Sequence, residues 1–305
     1  MQITKGKIPS ALKILIYGAE GIGKSTLASQ FPDPVFIDTE GSTKQLDVAR
    51  LPAPESWGDI ISQVKYIANS DVCKTLVIDT ADWAEMLCIK ALCGSKSIED
   101  FGYGKGYVML TERFQELLNE LNHVIDAGIH VVFTAHAQMR KFEQPDEMGA
   151  YDRWELKMQK KTAPLIKEWV DMILFCNFKT YVVESNGKKK AQGGERVMYT
   201  THHPCWDAKN RFGLPDMLPM SFDSIREVIG SDIPKPQIPD KLRALMEADN
   251  VTEEDLQILA TMKAWVDDST IPIYKYQTAL IDFIVANWDK VKEMAKAETI
   301  PFEED

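Results

Sequence analysis

The chain has 305 residues, 45% of them hydrophobic and 27% charged, the make-up of a folded globular protein of about two domains and not of a disordered one. Its 35 Lys and Arg against 46 Asp and Glu leave a formal net charge of −11, which argues against a uniformly basic protein that coats nucleic acid. Residues 1–9 are polar and lack the apolar stretch of a signal peptide, no apolar run approaches the ~20 residues of a membrane span, and the five cysteines form no Cys-x-x-Cys pair; a reduced cytoplasm is the expected location.

In chain order, Leu12-Lys13-Ile14-Leu15-Ile16-Tyr17 is a short aliphatic run that predicts a buried strand. Directly after it, Gly18-Ala19-Glu20-Gly21-Ile22-Gly23-Lys24-Ser25 fits G-x-x-x-x-G-K-[ST], with a helix expected to follow. Strand, loop and helix in that order mark a phosphate-binding loop. Gly18, Gly21 and Gly23 permit positive φ, so successive N–H groups can curl around a phosphate, and the helix adds its N-terminal partial charge. Lys24 is expected on the β- and γ-phosphates of ATP. Ser25 is expected on Mg²⁺, with Thr26 beside it.

Residues 35–37 predict a second strand, with Asp38 and Glu40 at its end. The two carboxylates offer a metal contact and a base for an attacking water; strand-end acids also simply cap the following turn. Ile60, Ile61, Val64 and Ile67 recur at helical spacing. Residues 75–78 form another strand, and Asp79 at its tip is placed to hold a metal's water shell. Gly102, Gly104 and Gly106 follow no strand, so they read as a hinge or a binding loop and not as a second nucleotide loop. Phe114, Leu117, Leu118, Leu121, Val124 and Ile125 mark a helix that Gly128 ends, and residues 129–134 a further strand. Apolar strands alternating with helices predict an α/β fold with a mainly parallel, doubly covered sheet.

Beyond residue 169 the pattern changes. Residues 171–178, 180–184 and 196–201 predict an antiparallel extension, with a Gly- and Lys-rich turn at 186–190. Residues 137–211 hold 14 basic against 10 acidic side chains, a local net of +4. That stretch suits a phosphate backbone, or is an ordinary solvated face. Pro234, Pro236 and Pro239 mark a linker over 234–240 between a core at 1–233 and a helical module at 241–296, with an acidic tail at 297–305. Residues 236–305 carry 7 basic and 15 acidic side chains, a net of −8. His202-His203-Pro204-Cys205 has no second ligand pair at a useful spacing for zinc. Cys88 and Cys93 read as small apolar fillers.

Phe36-Ile37-Asp38-Thr39-Glu40 resembles the strand-end pattern of the RecA-type ATPases, which implies that Glu40 activates the hydrolytic water. Lys209-Asn210-Arg211-Phe212-Gly213 resembles the KNRFG motif of the RadA branch. The resemblance implies that Lys209 and Arg211 complete a neighbouring subunit's site in a homo-oligomer, a ring or a filament. It covers residues 10–230, and Gly104-Lys105-Gly106-Tyr107 and Thr134-Ala135-His136 are similar to stretches of phage-encoded RecA-like proteins of single-strand annealing and recombination. It further implies a γ-phosphate sensor at His136 or Gln138. RadA's zinc-binding module has no counterpart, the first cysteine being Cys73.

Two DNA loops are also implied. Residues 94–107 carry Phe101, Tyr103, Lys105 and Tyr107; residues 139–163 carry Arg140, Lys141, Phe142, Tyr151, Arg153, Trp154, Lys157, Lys160 and Lys161. Cations interleaved with aromatics suit single-stranded DNA, because rings stack on bases while charges track phosphates; the plain alternative is a surface flap. Residues 300–305 resemble the acidic Pro-Phe tip through which single-stranded-DNA-binding proteins recruit partners, or are a solvating terminus. The implied protein is a RecA-like, DNA-dependent ATPase using ATP and Mg²⁺ in recombination, annealing or repair, in a host's cytoplasm if phage-encoded. Its alternatives are a nucleotide-gated single-strand-binding or loading factor with little hydrolysis, and a P-loop kinase of a small metabolite.

Overall fold

The computed structural model describes residues 5–6, 8–143, 149–185, 188–230, 237–269 and 271–298. Two units are present: Met1–Ala68 with Cys73–Pro234, and Asn69–Val72 with Lys235–Asp305.

The first unit is built on β1 (Lys13–Gly18), β2 (Pro34–Asp38), β3 (Ala49–Arg50), β4 (Thr75–Asp79), β5 (His130–Glu143), β6 (Ala150–Leu156), β7 (Met172–Ser185), β8 (Lys188–Tyr199) and β9 (Met217–Pro219). Their order across the sheet is β3-β2-β4-β5-β1-β7-β8-β9, with β6 paired to β5 alone. β3, β2, β4, β5, β1 and β7 run parallel to one another, and β8 and β9 extend them antiparallel. The helices are α1 (Lys24–Ala28), α2 (Trp57–Asn69), α3 (Ala81–Cys93), α4 (Lys105–Asp126), α5 (Ala163–Trp169) and α6 (Arg226–Ile229). This is the expected α/β class, with a mainly parallel sheet and an antiparallel extension.

The near-continuous apolar strands follow from burial on both faces. In β1, Leu15 and Tyr17 enter one core with Ile60, Val64, Leu117 and Leu121 of α2 and α4. Ile14 and Ile16 enter the other, with Leu27 and Ala28 of α1. Each fully buried aliphatic side chain stabilises the unit by roughly 1.5–3 kcal/mol, so a polar residue at either parity of β1 is costly. Among the described residues no helix is long and apolar enough to cross a membrane.

Three stretches differ from the sequence expectation. Within residues 139–163, the segments 139–143 and 150–156 are strand and not irregular loop. β5 runs on to Glu143 and pairs antiparallel with β6, Arg140 opposite Arg153 and Phe142 opposite Tyr151. Each face of this ribbon mixes polar and apolar side chains, Met139 and Trp154 with Lys141 and Asp152 on one, Phe142 and Tyr151 with Arg140 and Arg153 on the other, so no two-residue apolar period shows in the sequence. Residues 94–107 are likewise partly ordered: a 3₁₀ turn spans Ile98–Phe101, and α4 begins at Lys105 behind Gly104, whose φ is 71°. Finally, 171–178 and 180–184 are one strand, β7, whose register shifts between Lys179 and Thr180. Opposite that shift a Cβ on Gly193 would lie 2.1 Å from the Lys179 carbonyl, so the bulge needs glycine there.

The second unit holds α7 (Asp240–Asp249), α8 (Glu253–Met262), α9 (Thr278–Ala286) and α10 (Trp288–Glu298). Leu242, Met246, Leu256, Leu259, Ile284, Trp288 and Val291 form its core. Thr252 and Asp255 make a reciprocal capping box that starts α8. Pro239 precedes α7 as its N-cap. Pro234, Pro236, the turn residues 186–187 and the tail from 299 on lie outside the described residues.

Candidate active site

Strand register gathers the polar residues at one edge of the sheet. Gly18 stands opposite His136 across β1 and β5, and Asp38 opposite Asp79 across β2 and β4. Gly18, Asp38 and Asp79 end their strands and His136 ends the part of β5 that pairs in parallel, the side of the sheet where open α/β folds hold their ligands. Gly18 cannot be replaced without displacing β7, since a Cβ there would sit 2.1 Å from the Cys176 carbonyl oxygen. Gly21 and Gly23 take φ of 70° and 106°, the left-handed turns that let the loop close over α1. Ser25 and Thr26 follow in the first turn of α1.

Lys24 is almost wholly buried, and its Nζ donates to the carbonyls of Gly18 (3.3 Å) and Ala19 (3.0 Å). Burial pulls its pKa below the ordinary lysine value, against the opposing fields of Asp79, Asp82 and Glu40. Arg196 of β8, which sequence reasoning missed, donates from Nη1 to the Ile22 carbonyl at 3.3 Å. A Cβ on Gly23 would lie 2.8 Å from the same Nη1.

The acids divide by task. Asp38 accepts from the backbone N–H groups of Gly41, Ser42 and Thr43 and from the Thr43 hydroxyl. Burial alone would raise its pKa; the Thr43 and backbone hydrogen bonds prevail and hold it below the usual carboxylate value. Of the two readings open for it, metal contact or turn cap, the geometry is that of the cap. Asp79 is fully buried and accepts from the hydroxyls of Thr134 and Ser42.

Glu40 is half-buried, and its Oε2 lies 3.9 Å from Nε2 of His136. Burial raises its pKa; Asp79 and Asp82 add to the shift and His136 opposes it. His136 is held from behind by Asp82 of α3: its backbone N–H donates to Oδ1 at 3.0 Å, and its Nδ1 lies 2.9 Å from Oδ2. Gln138, the other candidate sensor, turns away and donates to the Leu156 carbonyl across the hairpin. Asp82, Thr134 and Ser42 were not found from sequence. An acid in the first turn of a helix reads as a dipole partner, and no spacing rule links Asp82 to a histidine 54 residues on.

The donor set fits a cation shared with a nucleotide and not a protein-only cage. Among the described residues no group of three or more His, Cys, Asp or Glu could hold a metal ion. Asp79 has both carboxylate oxygens already engaged by hydroxyls. Mg²⁺ usually keeps several waters and takes one or two protein oxygens plus phosphates. Ser25 and Asp79 supply that number.

Lys209 and Arg211 lie at the opposite edge. Arg211 Nη1 pairs with Asp171 Oδ1 at 3.1 Å, and Asp171 Oδ2 accepts the N–H of Lys13 at the start of β1. At ~3.3 Å per residue, β1 puts them about 16 Å from the P-loop. Arg211 is exposed, whereas Lys209 Nζ donates to the carbonyls of Lys167, Glu168 and Val170 and so caps α5. Burial, then the neighbouring Arg211, lowers its pKa.

The cations of the hairpin are unequal. Arg153 pairs with Asp207, which also takes Lys167 Nζ at 2.9 Å, and Arg140 lies 3.7 Å from Glu155. Trp154 packs 6.1 Å from Phe175 with the core. Lys141, Lys160 and Lys161 are exposed, as is Lys157, which lies 3.5 Å from Glu20 of the P-loop. Tyr103 is fully exposed at φ 45° between Gly102 and Gly104, with Lys105 beyond.

Comparison with known proteins agrees with the P-loop geometry. The chain is similar to the SPbeta prophage-derived uncharacterized protein YorG of Bacillus subtilis (strain 168), 23% identical over 130 residues, 41% of this chain and 40% of that one. The match therefore spans less than half the length of that relative. Among solved structures it is similar to the KaiC-like protein PH0186 of Pyrococcus horikoshii OT3, at 14% identity and a TM-score of 0.37 over 64% of this chain and 80% of that one. A family model described as an AAA domain matches residues 10–212, from just before the P-loop strand through Phe212. The match takes in more than half of the chain, which thus belongs to this AAA-domain family of P-loop ATPases.

Proposed function

We propose that the protein binds ATP with Mg²⁺ on its P-loop, hydrolyses it at interfaces between copies of itself, and acts on single-stranded DNA in phage recombination, annealing or repair in the host cytoplasm. Lys24 and the loop N–H groups hold the phosphates, and Ser25 and Asp79 hold the cation, which neutralises charge developing on the β- and γ-phosphate oxygens. Glu40 orients the attacking water. The observation that carries the reading is the position of Glu40, half-buried at the mouth of the P-loop beside His136, with its pKa raised as suits a group that takes a proton. The placement of Arg211 supports action in trans: it is exposed and too far from its own loop to serve it. A single-stranded-DNA-binding protein is a further candidate partner, through residues 300–305.

The test is phosphate release with and without single-stranded DNA, run alongside light scattering with and without ATP. Hydrolysis should rise with protein concentration and with DNA, and Glu40→Gln should keep ATP binding while losing about 10²–10⁴-fold in kcat. Turnover that ignores both concentration and DNA would overturn assembly and substrate together.

A second reading is a nucleotide-gated loading factor with little hydrolysis. What favours it is the engagement of Lys209 with three carbonyls at the C-terminal end of α5, which leaves one cation of the pair for a neighbour. Stoichiometric ATP binding without phosphate release would select it.

A further inference from the structure

Asp82 stands in the first turn of α3, three residues past Asp79, and is almost wholly buried. Burial on its own would push its carboxyl up; the two hydrogen bonds from His136 hold it below the ordinary value, so it is a carboxylate. A carboxylate accepts and does not donate. With Oδ2 2.9 Å from Nδ1 and Oδ1 on the backbone N–H of the same residue, the imidazole is held at two points and Nδ1 carries its proton. In the neutral imidazole Nε2 is then the acceptor nitrogen, and it is the one that faces Glu40 at 3.9 Å. A base oriented by a buried third group is the arrangement by which side chains are made to transfer protons. Neither Gln138, turned into the hairpin, nor Asp38, spent on its turn, competes for the place.

Resting on the hydrolysis reading above, we infer that Asp82 is a positioning residue, holding His136 as the Nδ1–H tautomer so that the proton Glu40 lifts from the attacking water passes on to Nε2. As the water oxygen bonds to the γ-phosphorus, one O–H bond breaks toward Glu40. The bond from the γ-phosphorus to the bridging oxygen breaks with its electron pair left on ADP. Glu40 and His136 close by about 1 Å to hydrogen-bond, and the proton moves to Nε2. Asp82 balances the imidazolium until the proton leaves to solvent with the product. Glu40 is thereby reset as a carboxylate without waiting for bulk water to reach it.

The test uses the full chain, whose five histidines permit imidazole ¹⁵N spectra with His136 identified through His136→Gln. Wild-type His136 should show its proton on Nδ1. Asp82→Asn, which can donate to Nδ1, should move the proton to Nε2 and lower kcat by about 100-fold, with KM for ATP and the affinity for a fluorescent ADP analogue unchanged. A purely structural role would instead lower stability and nucleotide affinity together. Wild-type kcat in Asp82→Asn, or an Nε2–H tautomer in the wild type, overturns the inference; the second readout stands even if the variant fails to fold. A wild-type chain that hydrolyses no ATP overturns the function reading, and the relay with it, while the wild-type tautomer still reports on Asp82.

Discussion

The P-loop edge and the β5–β6 hairpin leave the same end of the sheet, yet their polar groups behave oppositely. At the edge, Asp38, Asp79, Asp82 and Lys24 are buried, and each has partners supplied by the loop or by a neighbouring strand or helix. On the hairpin the charges are half-buried pairs or are exposed, Lys141, Glu143 and Asp152 among them. Buried polar groups that keep all their partners fix one geometry, whereas exposed charges cost little to move and carry information only when a ligand arrives. Chemistry therefore belongs to the first region and adaptable contact to the second. Arg211 is an exposed cation like those of the hairpin, but one that the proposed function assigns to chemistry.

The largest expected effect breaks that division where Arg211 stands. Arg211→Ala should lower turnover by about 10³-fold, the lower range for a cation acting in trans, without changing ATP affinity. Mixing it with Glu40→Gln should restore part of the activity, since each variant supplies what the other lacks. No recovery in the mixture would mean that no site is shared between copies. Lys209→Ala should differ, costing stability through the three uncapped carbonyls at the C-terminal end of α5.

How legible each region was follows from the same contrast. The P-loop was readable because its demands fall on consecutive residues: two left-handed glycines, a lysine and a hydroxyl in one octet. Asp79 was readable as the tip of an apolar strand, whereas Glu40, two residues beyond β2, was singled out by the resemblance to the RecA-type strand end. Asp82 was not, because its meaning depends on His136, which only the register of β5 brings near. The hairpin was misjudged as irregular because a solvated ribbon lacks the apolar parity that reveals a strand. Arg153 and Trp154 looked like ligands for a nucleic acid, yet one is paired with Asp207 and the other packs with the core.

A smaller effect tests how the lysine-rich segment after β6 is anchored. Glu85 of α3 accepts from the Gln159 N–H and the Thr162 hydroxyl, pinning residues 159–162. Burial raises its pKa to about 7, against the Thr162 hydrogen bond. A carboxyl whose folded pKa is raised binds its proton more tightly when folded. It contributes stability that is present below its ordinary pKa of 4.5 and is lost as pH climbs through about 7. Thermal melts should fall across that window in the wild type, at up to about 1.4 kcal/mol per pH unit, and less in Glu85→Gln. Equal pH slopes in the two proteins would show that Glu85 is not the group that titrates.

The smallest effects separate contact from anchorage along the hairpin and the lysine-rich segment that follows it. If the exposed lysines track a single strand, Lys141→Ala, Lys160→Ala and Lys161→Ala should each reduce the salt dependence of DNA binding by about 0.7 in log–log slope, with melting temperature unchanged. Arg153→Ala should do the reverse, since its guanidinium is held by Asp207 and lies 5.1 Å from the Phe142 ring centre. It should lower stability by about 1–3 kcal/mol, leaving a half-buried acceptor short of its partner, with a DNA salt slope like the wild type's. A reversed outcome, Arg153 flattening the slope and the lysines silent, would place the strand on the paired face of the ribbon. The hairpin would then have to release Asp207 to bind DNA, and that release would couple the ribbon to Tyr17 of the P-loop strand, whose hydroxyl donates to the Asp207 carbonyl at 2.6 Å.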